Sequence, residues 1–270
     1  MMPSIIKSKQ KRKWIAPIAT VGAILFWIGV WWLAAVMVDK AWVLPTPPQV
    51  ARALFSVIGL KKVLPAVLLS LWGILKGYLW GVGIGVLLAV LTAGCPPLHW
   101  LCSPLLTVIK ATPIASFILI LWVFFTNSAV PAYAVMLIVL PIVWANTEAG
   151  LKNTDKQLRE MGKAYGFSFP KRVRYLYAPA AYPFFKSAAK TALGMAWKAG
   201  IAAEVLCTPD GTVGKMIAHA KRDIETAELF AWTIAVVAVC FLFEKLLSVL
   251  LSLPERRRKA VVHDQSGRTK

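Results

Sequence analysis

Residues 159–179 read REMGKAYGFSFPKRVRYLYAP, with five Lys/Arg and a cluster of aromatics in a chain otherwise nearly as apolar as lipid. Around its start, Leu158, Met161, Ala164 and Tyr165 recur at spacings of three and four, which predicts a short amphipathic helix stopping at Gly166. The setting of this stretch decides the fold. A 270-residue chain with 58% hydrophobic residues, only 16% charged and a mean hydropathy of +0.65 lacks the polar surface of a water-soluble domain. The bilayer must act as its solvent.

A helix needs roughly 20 apolar residues to cross the hydrocarbon core. Six windows of that kind stand out: Trp14 to Val38, Ala66 to Thr92, Leu101 to Phe125, Ala129 to Asn146, Lys186 to Leu206 and Leu229 to Leu251. They are continuously apolar rather than alternating, so helices are expected and not a barrel. The expected fold is therefore all-α and polytopic.

The formal charge of +19 invites a nucleic-acid reading, but its distribution favours topology. With a cytoplasmic amino terminus, the inside segments hold 19 Lys/Arg: five before Trp14, eight from Lys152 to Lys186 and six after Leu253. The outside loops hold seven, and Lys76, Lys110, Lys190, Lys198 and Lys245 lie within the spans. This is the positive-inside pattern for six spans with both termini in the cytoplasm. No nucleic-acid partner is expected. The opening KSKQKRK and following apolar run also resemble a secretory signal, but the run is too long and too rich in Trp, so a retained span is expected. Cys95, Cys102, Cys207 and Cys240 show neither metal-site nor disulfide spacing.

Along the chain, Pro45, Pro47 and Pro48 argue against a regular helix after span one, while QVARALFSVIGL suits the outer interface. GCPPLHW is a tight turn, and Pro104, Pro113 and Pro141 are expected to kink spans three and four. Gly77, Gly81 and Gly85 recur every fourth residue, a ridge that lets helix backbones approach closely, within this chain or against a second copy. The organisation read from these features is a basic tail over 1–13, a first span and outer segment over 14–65, a membrane core over 66–251 and a second basic tail over 252–270. A loop over 147–185 interrupts the core.

Reactive groups do not converge. His99, His219 and His263 are scattered, and no Ser/His/Asp set, paired span carboxylates, metal-ligand cluster or phosphate-binding loop is present. No catalytic residue, metal or resident cofactor is expected. Ionisable residues at membrane depth are costly, roughly 2.5–3.5 kcal/mol each, and mark candidate pathways. Lys76, Lys198 and Glu204 are those candidates, each weighed against internal pairing or scaffolding. An excess of cations in the spans favours an anionic solute.

The loop with its adjacent aromatics, Phe167 and Phe169, has the form of a docking knob for a grooved partner. At these residues the chain resembles the membrane subunits of type I ATP-binding-cassette importers. Their loop reads Glu-Ala-Ala, three residues, Gly, nine residues, Ile-x-Leu-Pro. Here Glu160, Gly166 and Pro179 fall in register and Leu176 takes the isoleucine position, while Met161, Gly162 and Ala178 depart from it.

The resemblance implies that Leu158 to Pro170, including Ser168, form a coupling helix seated on the ATPase. VLPTPPQVARAL, KATPIASFILILWVFF and GMAWKAGIAAEVL further resemble the nitrate, sulfonate, taurine and bicarbonate branch, which includes permeases for thiamine precursors, over Val43 to Leu251.

The resemblance also implies a homodimeric permease in the prokaryotic inner membrane, with two ATPase subunits that bind ATP and Mg. An extracytoplasmic solute-binding protein would dock on the other side. A motor-independent secondary carrier, a membrane-embedded enzyme and a membrane scaffold are the alternatives. The carrier would more naturally show buried acid relays and repeat symmetry.

Overall fold

The computed structural model describes the backbone of residues 5–59 and 63–267, and the side chains of residues 20–57 and 63–249. The side chains of the basic tails, 1–13 and 252–270, lie outside the described residues. Every regular element described is helical.

The chain divides into two compact units. One comprises Met1–Lys61 and His219–Ala235. It contains α1 (Ile5–Val38), α2 (Pro47–Gly59), the end of α10 (Val213–Arg222) and the start of α11 (Thr226–Gly267). Trp31 stacks on Phe230 with ring centroids 5.7 Å apart, and Thr226 Oγ1 donates to the Trp42 carbonyl at 2.6 Å. The prolines expected to exclude a helix here instead begin one. Pro47 and Pro48 stand in the first turn of α2, where a missing N–H costs nothing because those donors have no helical partner anyway.

The second unit comprises Lys62–Ala218 and Val236–Lys270. It holds α3 (Val63–Gly94), α4 (Pro96–Ala111), α5 (Ile114–Phe124), α6 (Val130–Lys152), α7 (Lys156–Ala164), α8 (Phe169–Arg172), a π-helical turn (Val173–Tyr177) and α9 (Ala178–Cys207). It also contains the start of α10 and most of α11.

Its core is a three-helix seam. Ile74 and Tyr78 of α3 meet Val135, Val139 and Val143 of α6, and Ala192, Ala196 and Trp197 of α9. Tyr78 donates its hydroxyl to the Ala189 carbonyl at 3.0 Å, so the polar atom of a large buried side chain is satisfied.

Small residues make the seam possible. A Cβ at Gly77 would lie 2.2 Å from the Ala132 carbonyl oxygen, one at Gly81 2.7 Å from Val139 Cβ, and one at Gly85 2.9 Å from the Leu140 carbonyl oxygen. The glycine ridge therefore packs on α6 of the same chain. A Cβ at Gly200 of α9 would lie 2.4 Å from Ile74 Cγ1. Because the obstacle at Gly77 is backbone, Gly77→Ala must push α3 away from α6. We expect a loss of about 1–3 kcal/mol of stability, the usual cost of overpacking, read as an earlier thermal unfolding midpoint in detergent.

Among the described residues, four helical segments are long and apolar enough to cross a membrane: Thr20–Val38, Val63–Gly94, Val130–Lys152 and Thr226–Val249. The α4–α5 pair becomes a fifth if counted together, but it is bent by 105°. Span three, expected as one kinked helix, is thus two helices. Thr112 takes an extended backbone conformation, because the residue before proline is pushed out of the helical region, and Pro113, with ψ of 134°, does not resume the helix. Pro141, by contrast, stays inside a continuous α6.

The remaining window, Lys186 to Leu206, falls in α9. That helix has the length, 30 residues, but carries Lys186, Lys190, Lys198 and Glu204. Helix α6 continues to Lys152 and α9 begins at Ala178, so the loop expected over 147–185 is helical at both ends.

Candidate functional site

Between those two helices the chain builds a compact projection. Asp155 caps α7, its carboxylate accepting from the Gln157 amide at 2.8 Å. The helix ends in a Schellman motif. Gly166 has φ of +63°, its N–H donates to the Lys163 carbonyl at 3.0 Å, and the Phe167 N–H donates to the Gly162 carbonyl at 2.9 Å. The helix thus stops where the sequence predicts, and open space surrounds the position where a Gly166 Cβ would stand.

Gly162, which departs from the pattern in the sequence, has a packing reason. A Cβ there would sit 2.7 Å from Leu176 Cδ1 and 3.8 Å from Phe167 Cδ2, so the missing side chain seats the returning segment. Gly162 and Leu176 are buried. Glu160, Ala164, Ser168 and Pro170 are exposed.

Glu160 pairs weakly with Lys156 at 3.8 Å on the surface. Around this frame, Tyr165 is 75% exposed, Phe169 67%, Leu158 44% and Met161 41%. Apolar groups held outward on a capped helix and the segment that follows it form a patch of the kind that marks a partner surface. Pro179 lies in the first turn of α9, where proline is tolerated.

The candidate pathway residues separate. Lys76 is half-buried, its ammonium 5.8 Å from the Trp72 ring centroid. Lys198 is exposed on α9. Glu204 is 1% exposed and engaged within the chain: its carboxylate accepts from Ser70 Oγ at 2.7 Å and from the Gly214 amide at 3.1 Å. Ser70 Oγ in turn accepts from the Val213 amide at 3.0 Å. The carboxylate thus ties α3 and α9 to the positive start of α10. The Lys215 ammonium, in the first turn of α10, donates to Asp210 in the connection just before that helix and holds its carboxyl below the usual range.

Two features escaped the sequence reading. Glu244 of α11 packs on α9, with its Oε1 2.8 Å from where a Gly194 Cβ would be, one helical turn before Lys198. An acid within an apolar window was the available signal. The other is Glu148, 4% exposed, which takes His99 Nδ1 at 2.8 Å and Lys152 Nζ at 3.0 Å. His99 lies 49 residues away in sequence, and no local pattern links the two.

This constellation of spans and an outward knob has counterparts. Residues 81–259 match the family described as binding-protein-dependent transport system inner membrane component. The chain belongs to that family. It is similar to a permease named for aliphatic sulfonates transport in Bacillus subtilis (strain 168), 26% identical over 207 residues, covering 75% of this chain and 73% of the relative.

It is also similar to the taurine transport system permease protein of Escherichia coli (strain K12). That protein is 21% identical over 248 residues, covering 87% of this chain and 90% of the relative. Among solved structures, a crystal structure of an amino acid ABC transporter with histidines superposes with a TM-score of 0.57 at 20% identity. It covers 71% of this chain and 92% of that one.

The fold is that of a type I ABC importer permease. The chain is a multi-pass membrane transport subunit of an ABC importer, and it provides the translocation pathway. A motor-independent carrier or scaffold is not favoured. Permeases of ABC importers in general work with ATPase and binding-protein partners.

Proposed function

We propose that the chain carries a small organic anion of the sulfonate class across the inner membrane as one half of a homodimer. The observation that carries the reading is the projection between α6 and α9, a capped helix and the segment that follows it, with Leu158, Met161, Tyr165 and Phe169 turned outward. Two ATPase subunits, which bind ATP and Mg, would seat this knob in a groove. Residues Leu158 to Pro170 would pass their closure to the spans, while a solute-binding protein delivers solute at the opposite side.

The Lys/Arg asymmetry supports a cytoplasmic loop and cytoplasmic termini. The names of the relatives and the span lysines support an anionic solute. Lys198, one turn from the position where Glu244 packs, lies where solute charge and a fixed carboxylate would compete for a cation. Each state of the motors must bias a two-state arrangement of the spans for this to drive import.

Pull-down of the tagged chain from native membranes in mild detergent tests the assembly. A soluble ATPase and a binding protein should accompany it; recovery of the chain alone, under conditions that preserve known complexes, would sink the proposal. Within that complex, Phe169→Ser should weaken ATPase retention at least fivefold, roughly the 1 kcal/mol expected when an interface aromatic is removed. Retention at the native level would place the contact elsewhere.

A further inference from the structure

A cleft of about 560 Å³ lies between the projection and the adjoining ends of α3, α6 and α9, all within the second unit. Its volume falls inside the range of small-molecule sites. The walls are mostly apolar: Val86 and Val90 from α3, Phe169 and Val173 from the projection. Two cations, Lys152 and Arg159, also line it.

Lys152 is shared with Glu148, whereas Arg159 forms no ion pair among the described residues. The cleft is therefore apolar with one uncompensated positive charge. Thr147 adds to the wall, 5% exposed, and its hydroxyl has no hydrogen-bond partner among the described residues. Buried hydroxyls are normally partnered, and a small side-chain rotation would offer this one to a polar atom in the cleft.

We propose that the cleft is a binding site for an amphipathic monoanion, an apolar body with a single sulfonate, carboxylate or phosphodiester head, which bridges the projection to the ends of α3 and α6. Arg159 pairs with the head, assisted by Lys152, while the body lies against the valines and Phe169. Because the walls come both from the projection and from the spans, an occupant restrains the movement of one against the other. The translocation pathway does not require such a site, so the inference goes beyond the permease reading.

The test uses the full chain alone in phosphatidylcholine nanodiscs, with neither ATPase nor binding protein, so failure of the importer assembly cannot disguise the outcome. The probe is 1-octanesulfonate, with 1-octanol as its uncharged counterpart. Saturable binding is expected, at least tenfold tighter than octanol, with slower hydrogen exchange over residues 156–177. Arg159→Gln, on the exposed surface of α7, and Ala93→Trp, which fills the cleft, should each weaken it at least tenfold.

A second arm uses phosphatidylglycerol nanodiscs and native mass spectrometry. One retained phosphatidylglycerol, lost in Ala93→Trp and weakened in Arg159→Gln, with no octanesulfonate binding in either disc, would assign the site to a membrane lipid of the same chemistry. Absence of both ligands, equal binding by all variants, or octanol binding as tightly as octanesulfonate would overturn the proposal.

Discussion

Gly166→Val is expected to abolish most solute-stimulated ATP hydrolysis by the assembled transporter while the chain still inserts and assembles. The position needs φ of +63°, which costs an ordinary L residue about 1–2 kcal/mol and a β-branched one more. No neighbour obstructs a side chain there, so the effect is one of backbone conformation and not of collision. Loss of that turn unravels the two closing hydrogen bonds, from Gly166 to Lys163 and from Phe167 to Gly162.

An energy of 1–2 kcal/mol shifts a two-state population by about 5–30-fold, and coupled turnover should fall by that factor or more. Gly166→Asn should retain most activity, because asparagine tolerates the left-handed conformation. Normal solute-stimulated turnover in the valine variant would remove the turn from the coupling path.

Glu204→Ala should be the most destabilising single change in the second unit, at about 2–4 kcal/mol, because it strands two buried donors at once. Ser70 Oγ–H and the Gly214 N–H both lose their acceptor, and the start of α10 loses its negative cap. The space offers little repair: a Cβ at Gly214 would lie 2.2 Å from Glu204 Cβ, so the two segments already touch.

Glu204→Gln keeps an acceptor oxygen in place and should cost about 1 kcal/mol or less. Thermal unfolding in detergent measures both variants, and uptake in proteoliposomes separates the roles. A glutamine variant with native uptake makes Glu204 a brace; one with native stability but no uptake makes it part of the pathway.

The comparison of Glu204 with Gly166 shows what the sequence made legible. Gly166 could be read because its information is local: a periodic apolar pattern, a glycine at its end and a basic setting imply a capped helix without knowledge of the rest of the chain. Glu204 could be noticed as an acid in an apolar window. Its partners could not, since Ser70 lies 134 residues earlier. For the same reason the glycine ridge could be read as a packing face but not assigned to α6. Pro113 signalled a kink, yet whether a proline bends a helix or ends it depends on what satisfies the freed backbone groups. Pro141 is enclosed within α6, whereas Pro113 opens a 105° bend.

The sequence by itself determined the solvent, the helical class and the place of the projecting loop. Apolar run length, charge distribution and turn chemistry are properties of neighbouring residues. Tertiary structure decided what long-range contact alone can decide: that Gly77, Gly81 and Gly85 seat α6, that Glu204 holds the start of α10, and that Glu244 packs on α9. It also decided that Arg159 and Lys152, from different helices, share one apolar cleft. Those outcomes depend on which helix faces bury one another, and a linear pattern specifies that an apolar or small-residue face must be covered without specifying by what.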